Sequence, residues 1–262
     1  MISSNSSVKE VKEYLESLHD DEKLNYLKYL YKDKRKSIQK LVKKYQSLLA
    51  KKSTEKQRLL KLWYLEEGLY RQNYQYVVGI DEAGRGPLAG PVVAGAVILP
   101  PYCIIDGLND SKKINEKKRK QIAEEIKKIA IAWAVGVVDA QTIDDMNIHE
   151  ATRYAMYLAL YSLGSLPQYA LIDGKKNPLI KIPQSGIIKG DSLSASIAAA
   201  SIIAKVYRDN LMDIYDKLYP GYYFSSNKGY GTKQHIQCLN ENGPCPIHRK
   251  SFKPVKLEEK VV

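Results

Sequence analysis

The chain has 262 residues, an ordinary apolar fraction of 44% and a net charge of +12. That length fits one large domain, or a core of about 150–200 residues with an appendage. The sequence contains no run of about 18 apolar residues that would span a membrane, and its start lacks the apolar segment of a secretory signal. With only three cysteines and no CxxC pair, the composition predicts a reduced, cytoplasmic protein.

The positive charge is concentrated in one segment. Between Lys23 and Lys61 there are 14 Lys and Arg residues against two acids, Asp33 and Glu55, so this segment carries the whole net excess. A basic run is often no more than a solvated helical face. Its concentration nevertheless favours a polyanionic partner more strongly than a high isoelectric point alone would.

The first part of the chain is predicted to be helical. Residues 1–67 contain neither Gly nor Pro. Ser7-x-x-Glu10 is typical of a capping box at the start of a first helix. We therefore expect a basic α-helical extension over residues 1–71, joined through a hinge at 68–75 to a second region.

A second helix is expected to begin at Asp20-Asp21. Apolar residues recur there at intervals of seven, with a second set offset by three: Leu24, Tyr31, Ile38 and Tyr45, then Leu27, Leu41 and Leu48. The repeat is too short to establish a coiled coil, and Lys34 interrupts the seam. A small basic helical module is the prediction.

Beyond residue 75 the pattern changes to short β-branched runs that alternate with helical segments. Strands are predicted at YVVGI (76–80), PVVAGAVIL (91–99), IAWAVGVV (131–138), YALID (169–173) and GIIK (186–189). Helices are predicted at about 115–129, 149–163 and 192–211. The alternation predicts an α/β domain with a mixed sheet over residues 72–262, and the turn-rich tail after Phe224 is expected to wrap around it.

Acidic residues follow three of the predicted strands. Asp81 and Glu82 follow YVVGI, Asp173 ends YALID, and Asp191 follows GIIKG at the start of a helix rich in small residues. A single aspartate after a strand is most often a turn residue or a helix cap. Several at the carboxyl ends of strands, where α/β proteins build their sites, favour a functional cluster.

A cluster of carboxylates needs compensating positive charge, because neighbouring like charges raise one another's pKa. A hard divalent cation is the usual solution, and Mg²⁺ characteristically binds one or two carboxylates together with substrate phosphates. Two such ions about 3.5–4 Å apart can hold the attacking and leaving oxygens of a phosphoryl transfer. A metal therefore allows these acids and the phosphate-style glycine turn that follows them to share one pocket.

The glycine turn also has a rival interpretation. Gly84-x-Gly86-x-x-Ala89 matches the dinucleotide-binding fingerprint after a strand. Pro87 and Pro91 break the helix that this fingerprint requires, and the preceding acids occupy the approach to a pyrophosphate. The sequence disfavours a dinucleotide site.

A second rival is a zinc site with the ligand set His235, Cys238, Cys245 and His248. The six-residue spacer is short for a closed site, and the glycine and prolines within it fit a plain turn equally well. His248, next to Arg249, is alternatively a phosphate contact or a core histidine. Neither a nucleophile elbow nor a P-loop occurs in the sequence.

Several blocks of the sequence closely resemble bacterial ribonuclease HII. In chain order they are GIDEAGRGPLAGPVVAGAVIL, LNDSKK, DDMNIHEAT, IDG, KGDSLSASIAAASIIAKVYRD, PGYYF, NKGYGTKQH and GPCPIHRKSF, and they cover residues 72–254. The resemblance implies a ribonuclease-H-like fold, with a mixed central sheet flanked by helices. It also implies an endoribonuclease that requires Mg²⁺ or Mn²⁺.

The activity implied by the resemblance is hydrolysis of the RNA strand of RNA/DNA hybrids and nicking of duplex DNA 5′ to embedded ribonucleotides. The products carry 3′-hydroxyl and 5′-phosphate ends. Asp81 and Glu82 of DEAG, Asp173 of IDG and Asp191 of KGD match the family's four catalytic carboxylates, which hold one or two metal ions. These are the same acids that strand position singles out.

The resemblance also implies substrate contacts. Gly84-Arg85-Gly86 matches the motif that contacts the 2′-hydroxyl at the RNA–DNA junction, the group that distinguishes RNA from DNA. Tyr230 matches the tyrosine that packs against the adjoining deoxyribose. Three residues of DSKK are expected to hold phosphates, although such residues also serve as solvated loop charge: Ser111, Lys112 and Lys113.

Departures from the family pattern are small. Lys175 stands where the family more often has Asn, which affects the expected substrate contacts but not the neighbouring acid, and Asn227 stands where His is common. The DEAGRG form argues against the sister class ribonuclease HIII.

The extension over 1–71 lies outside the core resemblance, and we expect it to add nonspecific affinity for duplexes through phosphate contacts. A monomer is expected. The alternative function is a non-catalytic nucleic-acid-binding protein whose acids are structural.

Overall fold

The computed structural model describes residues 6–255. The chain divides into two compact units, Met1–Arg58 and Leu59–Val262. This division lies upstream of the domain boundary that the sequence predicts after residue 71, so that residues 59–71 belong to the second compact unit.

The first unit contains α1 (Val8–Ser17), α2 (Asp20–Leu30) and most of α3 (Lys36–Lys61). The capping box at the start of α1 is confirmed, because the Ser7 side chain accepts from the Glu10 amide while the Ser7 amide donates to the Glu10 carboxylate at 2.7 Å. The helices enclose a small apolar core of Val11, Leu15, Leu27, Leu30, Ile38, Val42 and Tyr45.

The apolar residues that recur at intervals of seven do not form one continuous seam. The chain leaves the helical conformation between α2 and α3, and three members of the seam are exposed, Leu24, Tyr31 and Leu48. Arg35 stabilises the break, since its guanidinium pairs with Asp33 at 2.6 Å and donates to the carbonyl of Ser6. The apolar repeat is therefore divided between two helices.

The second unit contains a five-stranded mixed sheet flanked by helices, as the sequence predicts. Its strands are β1 (Val77–Ala83), β2 (Val92–Ile98), β3 (Ala132–Val138), β4 (Tyr169–Asp173) and β5 (Gln184–Ile187). Its complete helices are α4 (Tyr64–Tyr70), α5 (Glu116–Ile129), α6 (Ala140–Tyr161), α7 (Ala195–Leu218), α8 (Phe224–Asn227) and α9 (Lys233–Asn242). All five predicted strands are present.

Two boundaries differ from the predictions. The hinge expected at 68–75 is helical through Tyr70, because α4 tolerates Gly68. Helix α6 begins at Ala140, well before the predicted start at 149, and the two halves of this helix meet at a kink where Asn147 has a φ of 67°. Asn147 accepts hydrogen bonds from the amides of His149 and Glu150, and so caps the second half.

The order of the strands brings the acids together. The sheet runs β3-β2-β1-β4-β5, with β1 antiparallel to β2 and parallel to β4. Ile80 of β1 pairs with Ile172 of β4, so that the next residues, Asp81 and Asp173, lie next to each other toward the carboxyl ends of these parallel strands. The parallel carboxyl ends therefore form the edge at which the site is built.

Helices cover both faces of this sheet. On one face α5 and α7 pack against the apolar core that includes Val97, and on the other α6 packs against the core that includes Ile98. The small residues at the start of α7 allow very close packing, since a Cβ on Gly79 of β1 would lie 2.1 Å from the backbone of Ser196. Within residues 6–255, no helix is long and apolar enough to cross a bilayer.

Candidate active site

Three of the predicted acids form one cluster. Oxygen atoms of Asp81, Glu82 and Asp173 all lie within 4.8 Å of one another. Asp81 is 5% exposed. Among the described residues this is the one group of three or more His, Cys, Asp or Glu side chains with the geometry of a metal site.

The cluster is electrostatically unfavourable by itself. Burial, reinforced by the charges of Glu82 and Asp173, raises the pKa of Asp81 well above its ordinary value. Burial also raises the pKa of Glu82, although Arg85 opposes this rise through an ion pair at 3.1 Å. The acids therefore repel one another in a site that water does not fully screen.

Asp191 lies beside this cluster but outside the 4.8 Å group. Burial raises its pKa, and the charges of Asp110 and Asp173 raise it further. The turn that carries Asp191 is tied to the cluster, since the amide of Gly190 donates to Asp173 at 2.6 Å. The structure thus brings three predicted acids together and places the fourth next to them.

The donor set fits a hard divalent cation. It consists of carboxylate oxygens only, which is the ligand chemistry of Mg²⁺ and Mn²⁺. Among the described residues, Glu82 is the only one of the four acids with a basic group within 4 Å. A bound cation would lower the repulsion that the pKa shifts of Asp81 and Asp191 reveal.

A cleft of about 480 Å³ opens beside the cluster, and we call it the glycine cleft. Glu82 lines it together with six predicted substrate contacts, four to the sugar and two to phosphates: Gly84, Arg85, Gly86 and Tyr230, then Ser111 and Lys112. Lys113 is absent from these walls and lies near Asp110 at 3.9 Å. The cleft therefore joins one predicted catalytic acid to the predicted reader of the 2′-hydroxyl.

Gly84 and Gly86 differ in their surroundings. Gly84 has a φ of +94°, and a Cβ there would lie 2.1 Å from Nε of Arg208. A Cβ on Gly86 would lie 3.7 Å from the ring of Tyr230, which is an ordinary contact distance. Gly84 is thus required by the fold of the loop, whereas Gly86 leaves space in front of Tyr230.

Two buried arginines hold this loop through its carbonyl groups. Arg249 donates to the carbonyls of Gly84, Arg85 and Gly90, with the bond to Arg85 at 2.8 Å. Arg208 donates to three carbonyls: those of Pro91, Lys228 and Ala89. Among the described residues, neither guanidinium lies within 4 Å of a carboxylate. Burial, together with the charge of Arg208, lowers the pKa of Arg249 to about 9, so it stays charged at neutral pH.

A pair of buried histidines connects the tail to the segment that carries Tyr230. Nδ1 of His235 donates to the carbonyl of Tyr230 at 2.9 Å, so Nε2 of neutral His235 is an acceptor. His248 lies 3.0 Å away and donates to it through its own Nε2. Nδ1 of His248 then accepts from the amide of Cys245. Both histidines are neutral in this network.

These contacts distinguish between the three interpretations of His248: a zinc ligand, a phosphate contact or a core histidine. His248 is 1% exposed, as the core-histidine reading predicts. The four residues of the possible zinc set form no metal-binding group among the described residues. The tail packs against the glycine loop through the bridge between Ala89 and His248.

Ser111 and a second cleft complete the surroundings of the acids. Ser111 is 4% exposed and its hydroxyl lies 3.1 Å from that of Ser201, whose hydrogen bond to Asp81 lowers the pKa of that carboxyl. A cleft of about 440 Å³ lies on the Asp173 side, and its basic walls include Arg153, Lys175 and Lys176. Lys175, the residue that departs from the family pattern, therefore lies next to the acids.

Some residues of the site escaped the sequence reasoning. His149 lines both clefts and lies 3.3 Å from a guanidinium nitrogen of Arg85. Lys205 lines the glycine cleft and pairs with Asp209 at 2.6 Å. Both stand within quoted motif blocks, but only their position around the cleft distinguishes them from the other polar residues of those blocks.

Comparison with known proteins agrees with this geometry. A protein-family model described as Ribonuclease HII matches residues 78–255, and one described as Ribonuclease HII N-terminal domain matches residues 7–70. A ribonuclease HII of Desulfitobacterium hafniense (strain DSM 10664 / DCB-2) is 48% identical over 259 residues, covering 99% of this chain and 98% of that protein.

Solved structures show the same fold. The ribonuclease H2 of Pyrococcus horikoshii OT3 matches with a TM-score of 0.59 and 27% identity, covering 69% of this chain and 95% of that chain. The ribonuclease HII in the PCNA:RNase HII complex of Archaeoglobus fulgidus matches with a TM-score of 0.58 and 25% identity, covering 71% of this chain and 98% of that chain.

The fold and the carboxylate site together define a nuclease of the ribonuclease H class, whose members use divalent metal ions and act on nucleic acid. Within that class, the chain belongs to the ribonuclease HII family.

Proposed function

We propose that this enzyme hydrolyses the RNA strand of RNA/DNA hybrids and nicks duplex DNA 5′ to embedded ribonucleotides, leaving 3′-hydroxyl and 5′-phosphate ends. One observation carries the proposal. Glu82 belongs to the carboxylate cluster and also lines the glycine cleft, next to Gly84, Gly86 and Tyr230. Groups suited to cutting a phosphodiester therefore adjoin groups suited to inspecting the sugar beside it.

The four acids are proposed to hold one or two Mg²⁺ or Mn²⁺ ions. When bound, such ions activate water for in-line attack on phosphorus and stabilise the departing 3′-oxygen. The chain itself orients the ligands: Gly190 fixes Asp173 through its amide, and Arg85 holds Glu82. Ser201 contributes the hydroxyl that favours the charged form of Asp81.

The glycine cleft is proposed to select the substrate. With no side chain on Gly86, the backbone can approach a sugar edge closely, and the 2′-hydroxyl is the group available there for recognition. Tyr230 is 46% exposed, which leaves its ring free to pack on the neighbouring deoxyribose. Lys112 and the partly buried Lys205 are placed to contact phosphates along the same cleft, and Ser111 supports its wall.

We further propose that the enzyme acts as a monomer in the cytoplasm. One chain supplies the acids and the glycine cleft, so the site requires no second copy. All three cysteines are free thiols, in keeping with a reducing compartment.

The experiment is cleavage of a DNA duplex that carries one ribonucleotide, in Mg²⁺ or Mn²⁺ and in chelator. We expect one nick on the 5′ side of the ribonucleotide that requires the metal and disappears in Asp81→Asn. Retained binding in Asp81→Asn, measured on the same duplex, separates lost chemistry from lost affinity. Binding without cleavage by the unaltered enzyme would instead support the non-catalytic alternative.

A further inference from the structure

The turn that carries Asp191 is held from two sides. On one side, the amide of Gly190 donates to Oδ1 of Asp173 at 2.6 Å. On the other side, the hydroxyl of Ser194 donates to Oε1 of Glu66 at 2.6 Å. Within the turn, the amide of Ser194 donates to the carbonyl of Gly190 at 2.8 Å. Three hydrogen bonds in series therefore connect Glu66 of α4 to the carboxylate of Asp173.

Glu66 is an acid in a fully buried place. Its side chain is 0% exposed, and two donors reach its carboxyl group, the Ser194 hydroxyl and the Ser196 amide at 3.0 Å, both at the start of α7. Burial raises the pKa of Glu66, although these hydrogen bonds oppose the rise. Burying a carboxyl group costs free energy, and apolar groups of the same shape could replace such a hydrogen-bonded set at little cost. Packing alone therefore does not account for an acid here.

The turn itself has a conformation that needs support. Lys189 enters it with a φ of 59°, in the left-handed region that residues with a side chain seldom adopt. Gly190 follows in a narrow space, since a Cβ there would lie 2.6 Å from Cδ1 of Ile197. Contacts at both ends of the turn therefore hold Asp191 in its place.

We propose that Glu66 is a positioning residue of the active site, which acts through Ser194 to fix the turn that presents Asp191 and orients Asp173. The inference rests on the proposed function in taking these two aspartates as metal ligands. Groups that orient metal ligands through hydrogen bonds are worth about 10–100-fold in metal affinity or activity. Glu66 is absent from the walls of both clefts, so it acts through the turn alone.

The position of Glu66 in the chain gives the proposal its consequence. The sequence assigns this residue to the basic extension, outside the blocks that carry the acids. Part of the geometry of the carboxylates is then set by a residue that precedes them all.

The test uses three variants of the full-length protein. Glu66→Ala removes the carboxyl group, whereas Glu66→Gln keeps an oxygen that can accept both hydrogen bonds. The matched control is Leu59→Ala, which removes a side chain that is 3% exposed from the core of the same unit and leaves the turn intact. Mn²⁺ binding to the protein alone is measured by calorimetry, and cleavage of a duplex with one ribonucleotide gives kcat and KM. All assays are run below the lowest melting temperature.

We expect Glu66→Ala to bind Mn²⁺ about tenfold more weakly and to cut with a kcat about tenfold lower, at an unchanged KM for the duplex. Glu66→Gln should keep both properties. Leu59→Ala should lose stability but neither property. Ser194→Ala breaks the same connection from its other end and should show the same losses, so it carries the test if Glu66→Ala does not fold.

Mn²⁺ affinity and kcat in Glu66→Ala and Ser194→Ala equal to those of Leu59→Ala would overturn the proposal, because Glu66 would then only stabilise the fold. Additive losses in the variant with both substitutions would also contradict it, since the two changes break one connection. Mn²⁺ binding is measured without nucleic acid. It therefore reports on Glu66 even if the unaltered enzyme failed to cut the proposed duplex.

Discussion

The two glycines of the GRG turn have separable roles. Gly84 has a positive φ and lies against the side chain of Arg208, so a methyl group at this position would be strained and would clash with that side chain. Gly86 faces Tyr230 across open space, so a methyl group there meets only a van der Waals contact. The first glycine shapes the loop, and the second keeps open the space that we assign to the sugar.

The variant Gly86→Ala therefore tests the proposed contact with the 2′-hydroxyl without disturbing the conformation of the loop. We expect a melting temperature close to that of the unaltered protein, and a loss of about tenfold or more in kcat/KM on a duplex with one ribonucleotide, a transition-state cost of about 1.4 kcal/mol. Gly84→Ala is the contrasting variant and should lower the melting temperature as well. Full activity of Gly86→Ala would show that the sugar does not pass between this residue and Tyr230.

The histidine pair makes stability depend on pH. Burial, with the charge of His235, lowers the pKa of His248 to about 4, and burial lowers that of His235 as well. The ordinary value is about 6.5, so below that pH the unfolded chain binds more protons than the folded one. The contribution of the two neutral histidines to folding stability is therefore fully present above about pH 6.5 and is lost as the pH falls toward 4.

From the shift of His248 alone, the free energy of unfolding should fall by about 2 kcal/mol between pH 7.5 and pH 5. Urea unfolding at both values measures the change. In His248→Gln the protein should be less stable at pH 7.5 but should lose less stability between the two values. An identical pH dependence in the two proteins would mean that His248 is not held neutral in the fold.

Helix α4 belongs structurally to the catalytic unit. Glu66 accepts hydrogen bonds from the Ser194 hydroxyl at 2.6 Å and from the Ser196 amide at 3.0 Å, and so caps the start of α7. The carbonyl of Leu62 accepts from the amide of Ala195 in the same turn. These contacts support the segment that directly follows Asp191, although they come from residues that the sequence assigns to the extension.

The position of a truncation should therefore decide its effect. A chain that begins at residue 59 keeps this support and should remain folded and active. A chain that begins at residue 71 loses the buried side chains of Leu62, Trp63 and Leu69, whose burial contributes about 1.5–3 kcal/mol each. It also loses Glu66, which caps the start of α7. Thermal melting of both chains checks this. Equal melting temperatures would contradict the role assigned to α4.

Features that depend on local sequence pattern could be predicted, whereas those that depend on contacts between distant residues could not. The five strands and the capping box of α1 depend on local pattern, and both were predicted. Asp81 and Asp173 were predicted because parallel strands end at one edge. The role of Arg249 was not, since it bonds to Gly84, 165 residues away, and no local pattern encodes that contact. The apolar spacing of seven continues across the break before α3, so the spacing alone does not locate that break, although Lys34 interrupts the repeat there.

In the whole molecule, charge and chemistry occupy different parts of the chain. The segment from Lys23 to Lys61 has 14 basic and two acidic residues, whereas the carboxylate cluster and the glycine cleft lie between Asp81 and Tyr230. Affinity for duplexes and discrimination at the sugar are therefore expected to vary independently when each is mutated. Discrimination at the sugar matters most for the proposed function, in which the 2′-hydroxyl determines where the acids cut.

The most direct measurement compares cleavage of three duplexes that differ in one atom or group at a single 2′ position: hydroxyl, hydrogen or fluorine. With metal present, we predict a nick 5′ to that nucleotide in the hydroxyl duplex alone, while all three duplexes bind with similar affinity at low salt. Comparable cleavage of the hydrogen or fluorine duplex would contradict the account, because the glycine cleft would then not inspect the group for which we propose it is built.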